Sequence, residues 1–144
     1  MIWTDIDRLL FERLERQAAG VAHVLSAAEL ADMTRDAIPL PSIHLVFEGL
    51  TPVDQPTPRS SIQAMLLTWT TVVAVRYRHD RAQDAHRDAE PLLTLVLESL
   101  LGYRPQGDVA PLQLGRSGRP RYEESVAMYP LTWTTRRTLR GAAD

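Results

Sequence analysis

The stretch from Ala64 to Arg78, AMLLTWTTVVAVRYR, reads with a period of two. Its odd positions, Met65, Leu67, Trp69, Thr71, Val73, Val75 and Tyr77, are nearly all apolar, while the even positions turn polar toward Arg76 and Arg78. Side chains alternate across a strand, so the pattern predicts a half-buried antiparallel strand with one face on a core. Fifteen residues is long for a strand, and a hairpin or bulge near its start is expected. The segment Leu67-Thr68-Trp69-Thr70-Thr71 recurs as Leu131-Thr132-Trp133-Thr134-Thr135, outside any periodic array, so no solenoid is implied. The repeat predicts two central strands showing like residues to one helix, with Trp69 and Trp133 on the helix-covered side. The second of these runs from Ser125 to Arg137, with Ala127, Tyr129, Leu131 and Trp133 on one face.

The covering helix follows directly. Ala85, Ala89, Leu92, Leu93, Val96, Leu97, Leu100 and Leu101 fall on one face at spacings of three and four. Asp80 with Gln83 reads as its start and Gly102 as its stop. Pro91 inside it is expected to remove a hydrogen bond to Arg87 and kink the axis. Upstream, Trp3, Ile6, Leu10 and Leu14, with Leu9 beside them, give a first helix, opened by Thr4 and Asp7 and stopped by Gly20. Val21 to Leu25 reads as a strand, and Ser26 with Glu29 opens a short helix over Ala27 to Met33. Pro39 and Pro41 end it, and Ser42 to Gly49 is a strand. Leu50 to Ile62, with Pro52, Pro56 and Pro58, reads as a stiffened loop able to reach ~40 Å. Val109 to Leu114 reads as a strand and Gly115 to Pro120 as a turn. The expected fold is α/β (α+β): a mostly antiparallel or mixed sheet with helices packed on one face, in a single domain over residues 1–144.

A chain of 144 residues fits one such domain. Hydrophobic residues at 44% and charged residues at 24% give a globular balance. No cysteine is present, which excludes disulfides, thiolate metal sites and thiol catalysis. All sixteen basic residues are arginine, which removes Schiff-base chemistry and the Walker lysine. A formal charge of −2 argues against a polyanion grip by the whole domain. Met1 to Arg16 lacks the features of a signal peptide, and apolar stretches such as Pro91 to Leu101 fall short of the ~20 residues that cross a bilayer. A cytoplasmic site of synthesis is expected.

Candidate chemistry is sparse. His79 and His86, with Asp80, Asp84, Asp88 and Glu90 near them, offer a metal reading, but seven residues is not the usual spacing of a zinc pair. The carboxylates are equally explained by the positive end of a helix. His23 and His44 are expected at the surface or rim of short strands. Ser60, Ser61 and Ser117 carry no nucleophile motif, and no phosphate-binding glycine motif exists. Arg116, Arg119 and Arg121 cluster in the Gly115 turn, with Arg104 upstream and Arg136, Arg137 and Arg140 at the end. Such a cluster contacts phosphates or simply solvates a hairpin, and Glu123 and Glu124 follow at once.

The order of elements carries more information than any one residue. An amphipathic helix is followed by Pro41-Ser42-Ile43 leading to Glu48-Gly49, a Pro-rich loop, and the strand through Val72-Val73-Ala74-Val75-Arg76. Asp84-Ala85, Ala89-Glu90-Pro91-Leu92-Leu93 and Leu100-Leu101-Gly102-Tyr103-Arg104-Pro105 come next. Arg119-Pro120-Arg121-Tyr122 and Tyr129-Pro130-Leu131 close the series. Over positions 3 to 137 this resembles the Mu-type prophage tail terminator (tail completion) family of tailed phages. The resemblance implies a virion structural protein of the tail and neck region, assembled in the host cytoplasm. It implies a homo-hexameric ring that caps the head-proximal end of the tail tube and joins it to head-completion proteins, and to the sheath in contractile tails. DNA would pass the channel without sequence reading; no enzyme activity, cofactor, metal or membrane is implied. On this reading the contact residues are Pro52, Val53, Gln55, Pro56, Pro58 and Arg59 in the loop, with Arg116, Arg119 and Arg121 in the turn. The rival readings are a small nucleic-acid-binding α/β domain using the same arginines, a metal-dependent hydrolase at His79, His86 and Asp80, and a different tube or neck subunit.

Overall fold

The computed structural model describes residues 1–53 and 61–142. In chain order these form α1 (Thr4–Ala18), β1 (His23–Ser26), α2 (Ala27–Ala31), β2 (Ser42–Pro52), β3 (Ile62–Arg76) and α3 (Ala82–Leu100). β4 (Gln113–Leu114), β5 (Arg121–Glu123) and β6 (Val126–Arg140) follow, and 3-10 turns stand at Arg35–Ala37 and His79–Arg81. One mixed sheet runs in the order β1-β2-β3-β6-β4, with β5 pairing the start of β6. β1 and β2 are parallel; the other pairs are antiparallel. This is the α+β class expected.

The repeated pentapeptides meet each other. β3 and β6 pair so that Trp69 opposes Trp133, Leu67 opposes Thr135 and Thr71 opposes Leu131. Both indoles are fully buried on the helix-covered face, as the alternation predicts. Each also has an N–H to satisfy away from water. Trp133 donates to Thr71 Oγ1 at 2.9 Å. By the local pseudo-symmetry Trp69 would donate to Thr135, but it donates to Asp7 Oδ1 of α1 at 2.9 Å, and Thr135 turns to the Ala110 carbonyl. Around this pair pack Ile6, Leu10 and Leu14 of α1, Ala89, Val96 and Leu100 of α3, and Ile43, Leu45 and Val73 of the sheet.

Helix starts depart from the sequence reading. α1 begins after Trp3 with no side-chain cap, because the indole at the cap position offers no acceptor; Trp3 stacks on Phe47 with ring centroids 4.6 Å apart, and Asp7 accepts from Trp69. α3 begins at Ala82 behind a 3-10 turn, so Asp80 and Gln83 form no capping pair. The Ser26–Glu29 capping box is present, on a helix that ends at Ala31. α3 runs through Pro91, which lies on the exposed side, where a carbonyl freed at Arg87 faces water. Gly20 and Gly102 take the left-handed conformation expected of stops, at φ +77° and +75°.

Strand limits move for hydrogen-bonding reasons. Val21 and Ala22 donate back to Ala18, so β1 starts only at His23. Between Val109 and Leu114 only the last two residues form a strand: Pro111 has no N–H, and Leu112 donates to Tyr103. β3 runs unbroken from Ile62; the expected irregularity lies in its partner, as a bulge between Phe47 and Gly49. β2 and β3 continue past Leu50 to Pro52 and back to Ile62, which shortens the expected loop at both ends.

Arg137, read from sequence as part of a basic terminus, is buried. Its side chain is 8% exposed and donates to both carboxylate oxygens of Asp5, to Asp108 and to the Ile2 carbonyl, at 2.9 to 3.0 Å. It ties β6 to the start of α1. The guanidinium holds the Asp5 carboxyl at about 2, below its ordinary 3.8. Because the folded value is depressed, this stabilisation is full above the unfolded value and is lost as pH falls through the folded one. Asp5→Asn is therefore expected to cost about 1–3 kcal/mol at neutral pH. In denaturant titrations the two proteins should converge between about pH 4 and pH 2; parallel curves would refute the coupling.

Candidate assembly surface

Because α1 and α3 cover the tryptophan side, the even positions of β3 and β6 face away from them. Thr68, Thr70 and Val72, with Met128, Pro130 and Thr132, floor an open groove of about 710 Å³. Its walls are Glu48 at the β2 bulge and the segment Gly118 to Arg121. That segment is laid along β6 and does not project as a free hairpin. Gly115 donates to the Thr132 carbonyl at 2.7 Å, and Thr132 donates to Ser117 Oγ at 3.1 Å. The arginine turn is thus pinned from both sides of one residue.

The predicted contact residues fall in two places. Arg119 and Arg121 line the groove; Arg116 is exposed but does not line it. Pro52 is exposed at the far end of β2, paired with Met65, and Val53 donates to the Ala64 carbonyl. Gln55, Pro56, Pro58 and Arg59 lie outside the described residues. Seven positions of β3 separate Met65 from Val72, roughly 20–25 Å of strand, so the two groups are distinct surfaces.

A third feature is the β2 edge. β1 pairs only with Ser42 to Leu45, so among the described residues Val46 to Pro52 has a sheet partner on one side alone. Glu48 in the bulge, Gly49 at φ +137° and the terminal Pro52 are devices that blunt non-specific strand pairing at an edge. Proline is tolerated there for the same reason: it has no ladder hydrogen bond to lose on the open side.

None of the four histidines lines the groove. His44, expected at a rim, is buried at 5% exposure and shares a 2.8 Å hydrogen bond with Ser42, two residues away on the same face. Loss of hydration pushes its imidazole down to about 4 from the ordinary 6.5. This Ser–His pair is sealed from substrate, since Ser42 is wholly buried. His79 packs edge-on against Tyr77, whereas His86 shares hydrogen bonds with Tyr129 at 2.8 Å and Tyr122 at 3.4 Å. Asp84 pairs with Arg87. Among the described residues no group of three or more His, Asp or Glu side chains is placed to hold a metal ion. No described helix is long and apolar enough to cross a membrane. Sequence reasoning missed the groove floor, although its threonines at alternate positions of both repeats were the available signal.

The family model of the phage tail terminator protein matches residues 4–143. Comparison with curated proteins gives no match. Among solved structures, a chain from the virion of a native gene transfer agent (GTA) particle is similar, with a TM-score of 0.58 and 12% sequence identity. The match covers 92% of this chain and 94% of that one, and at this identity it shows a shared fold.

The buried histidine generates a test of the fold around the groove. The folded imidazole stays neutral to about pH 4, while the unfolded one takes a proton near 6.5. Stability is thus intact above pH 6.5 and declines as pH falls toward about 4, by up to roughly 3 kcal/mol. His44→Gln should flatten that decline in denaturant titrations. An undiminished decline would show that another group controls it.

Proposed function

The chain belongs to the phage tail terminator family, a family of structural tail proteins, and on that premise we propose that it caps the tail tube as a ring. In this reading six copies close on the head-proximal end of the tube, stop its growth and present a surface to the head-completion proteins, and to the sheath where the tail is contractile. The family match over nearly the whole chain carries the proposal. The fold supports it in two ways. Cyclic closure uses heterologous contacts, so each copy needs two unlike flanks, and this sheet has unlike edges at β1–β2 and at β4. One sheet face is also left open beside a wall of arginines. DNA would pass through the ring without base reading; positive groups at Arg116, Arg119 and Arg121 serve contacts with partners or phosphates, which carry no sequence information.

Negative-stain imaging and native mass measurement of the purified protein, with and without tail tubes, test the reading. Six-membered rings, or tubes blocked at one end, are expected. A monomer that leaves tube ends unchanged would overturn it. Replacing Pro52 to Ser60 with a short turn should preserve thermal unfolding and abolish tails of normal length. Normal tails from that variant would remove the Pro52 end of β2 from the assembly surface.

A further inference from the structure

The two flanks of the sheet carry opposite charge. Beside the β1 edge, α2 and the turn after it expose Glu29, Asp32 and Asp36, and residues 27–37 sum to −2 once Arg35 is counted. Beside the β4 edge, residues 115–121 expose Arg116, Arg119 and Arg121 and hold no acid, a sum of +3. Among the described residues none of these six side chains forms an ion pair. Both patches are also fixed in place. The capping box fixes the first turn of α2, which packs against β1 and β2, and the Thr132 hydrogen bonds hold the arginine turn on β6.

Resting on the ring reading above, we propose that the arginine turn of one copy docks on the acidic α2 segment of the next. β1 and β4 end the sheet on opposite sides, so the contact is head-to-tail and repeats around a closed ring. Charges of this exposed kind mainly set encounter rate, register and salt dependence. Arginine suits the role, because its planar fork binds carboxylates through two parallel hydrogen bonds.

Two chains test the contact: Asp32→Arg/Asp36→Arg, which leaves both patches basic, and Arg119→Glu/Arg121→Glu, which leaves both acidic. Glu29 is kept because it caps α2. Sedimentation with tail tubes present, in about 50 mM salt, reads ring formation. Each variant alone should associate at least about tenfold more weakly than wild type, and an equimolar mixture should regain association through alternating complementary contacts. Raising salt to about 500 mM should erase the difference between the mixture and each variant alone. If both variants alone match wild type, or the mixture regains nothing, the docking is wrong while the ring reading stands. If wild type neither associates nor blocks tubes, both fall together.

Discussion

Two indole N–H groups buried in the middle of one sheet constrain the rest of this molecule. Leaving either unpaired would cost about 1–3 kcal/mol. Trp133 finds Thr71 across the β3–β6 ladder, but Trp69 takes Asp7, a partner from outside the sheet. That hydrogen bond, with the burial of Ile6, Leu10 and Leu14, fixes α1 on the tryptophan face, where Arg137 ties the helix start to the end of β6 through Asp5. Once α1 and α3 occupy that face, strict alternation sends Thr68, Thr70 and Thr132 to the other one. Buried core and open groove are two faces of the same pair of strands.

Much of this was legible in the residues. The period of two in β3 and β6 and the apolar stripe of α3 each carry many consistent positions, so their existence, type and facing follow from local pattern. Caps were less legible, because a short polar side chain near a helix start can be claimed by a tertiary partner. Asp7 went to Trp69, and only the Ser26–Glu29 box, which is closed within its own turn, formed as read. Strand ends moved for two reasons: Leu112 bonds back to Tyr103, a contact the local pattern does not show, while Val21 donates to Ala18 and so continues the end of α1.

The surface was half legible. The arginine cluster is plain in the sequence, yet its attachment along β6 depends on one residue, Thr132, using both its N–H and its carbonyl toward the turn. Arg137 and His44 were misplaced because charge and polarity bias a reading toward solvent. Arg137 is held inside by two carboxylates that are close only after folding, and His44 by Ser42, two residues away, once burial of the strand has removed water from both. The family assignment rested on element order, which a match over residues 4–143 supports more firmly than any single motif.

The central claim is that the helix face serves folding and the opposite face, with its flanks, serves assembly. Hydrogen–deuterium exchange on free protein and on protein bound to tail tubes measures this division directly. The account predicts new protection at residues 115–121 and 128–132 and at α2, with α1 and α3 unchanged. Protection confined to α1 and α3, with the groove and both charged flanks exchanging as before, would contradict it.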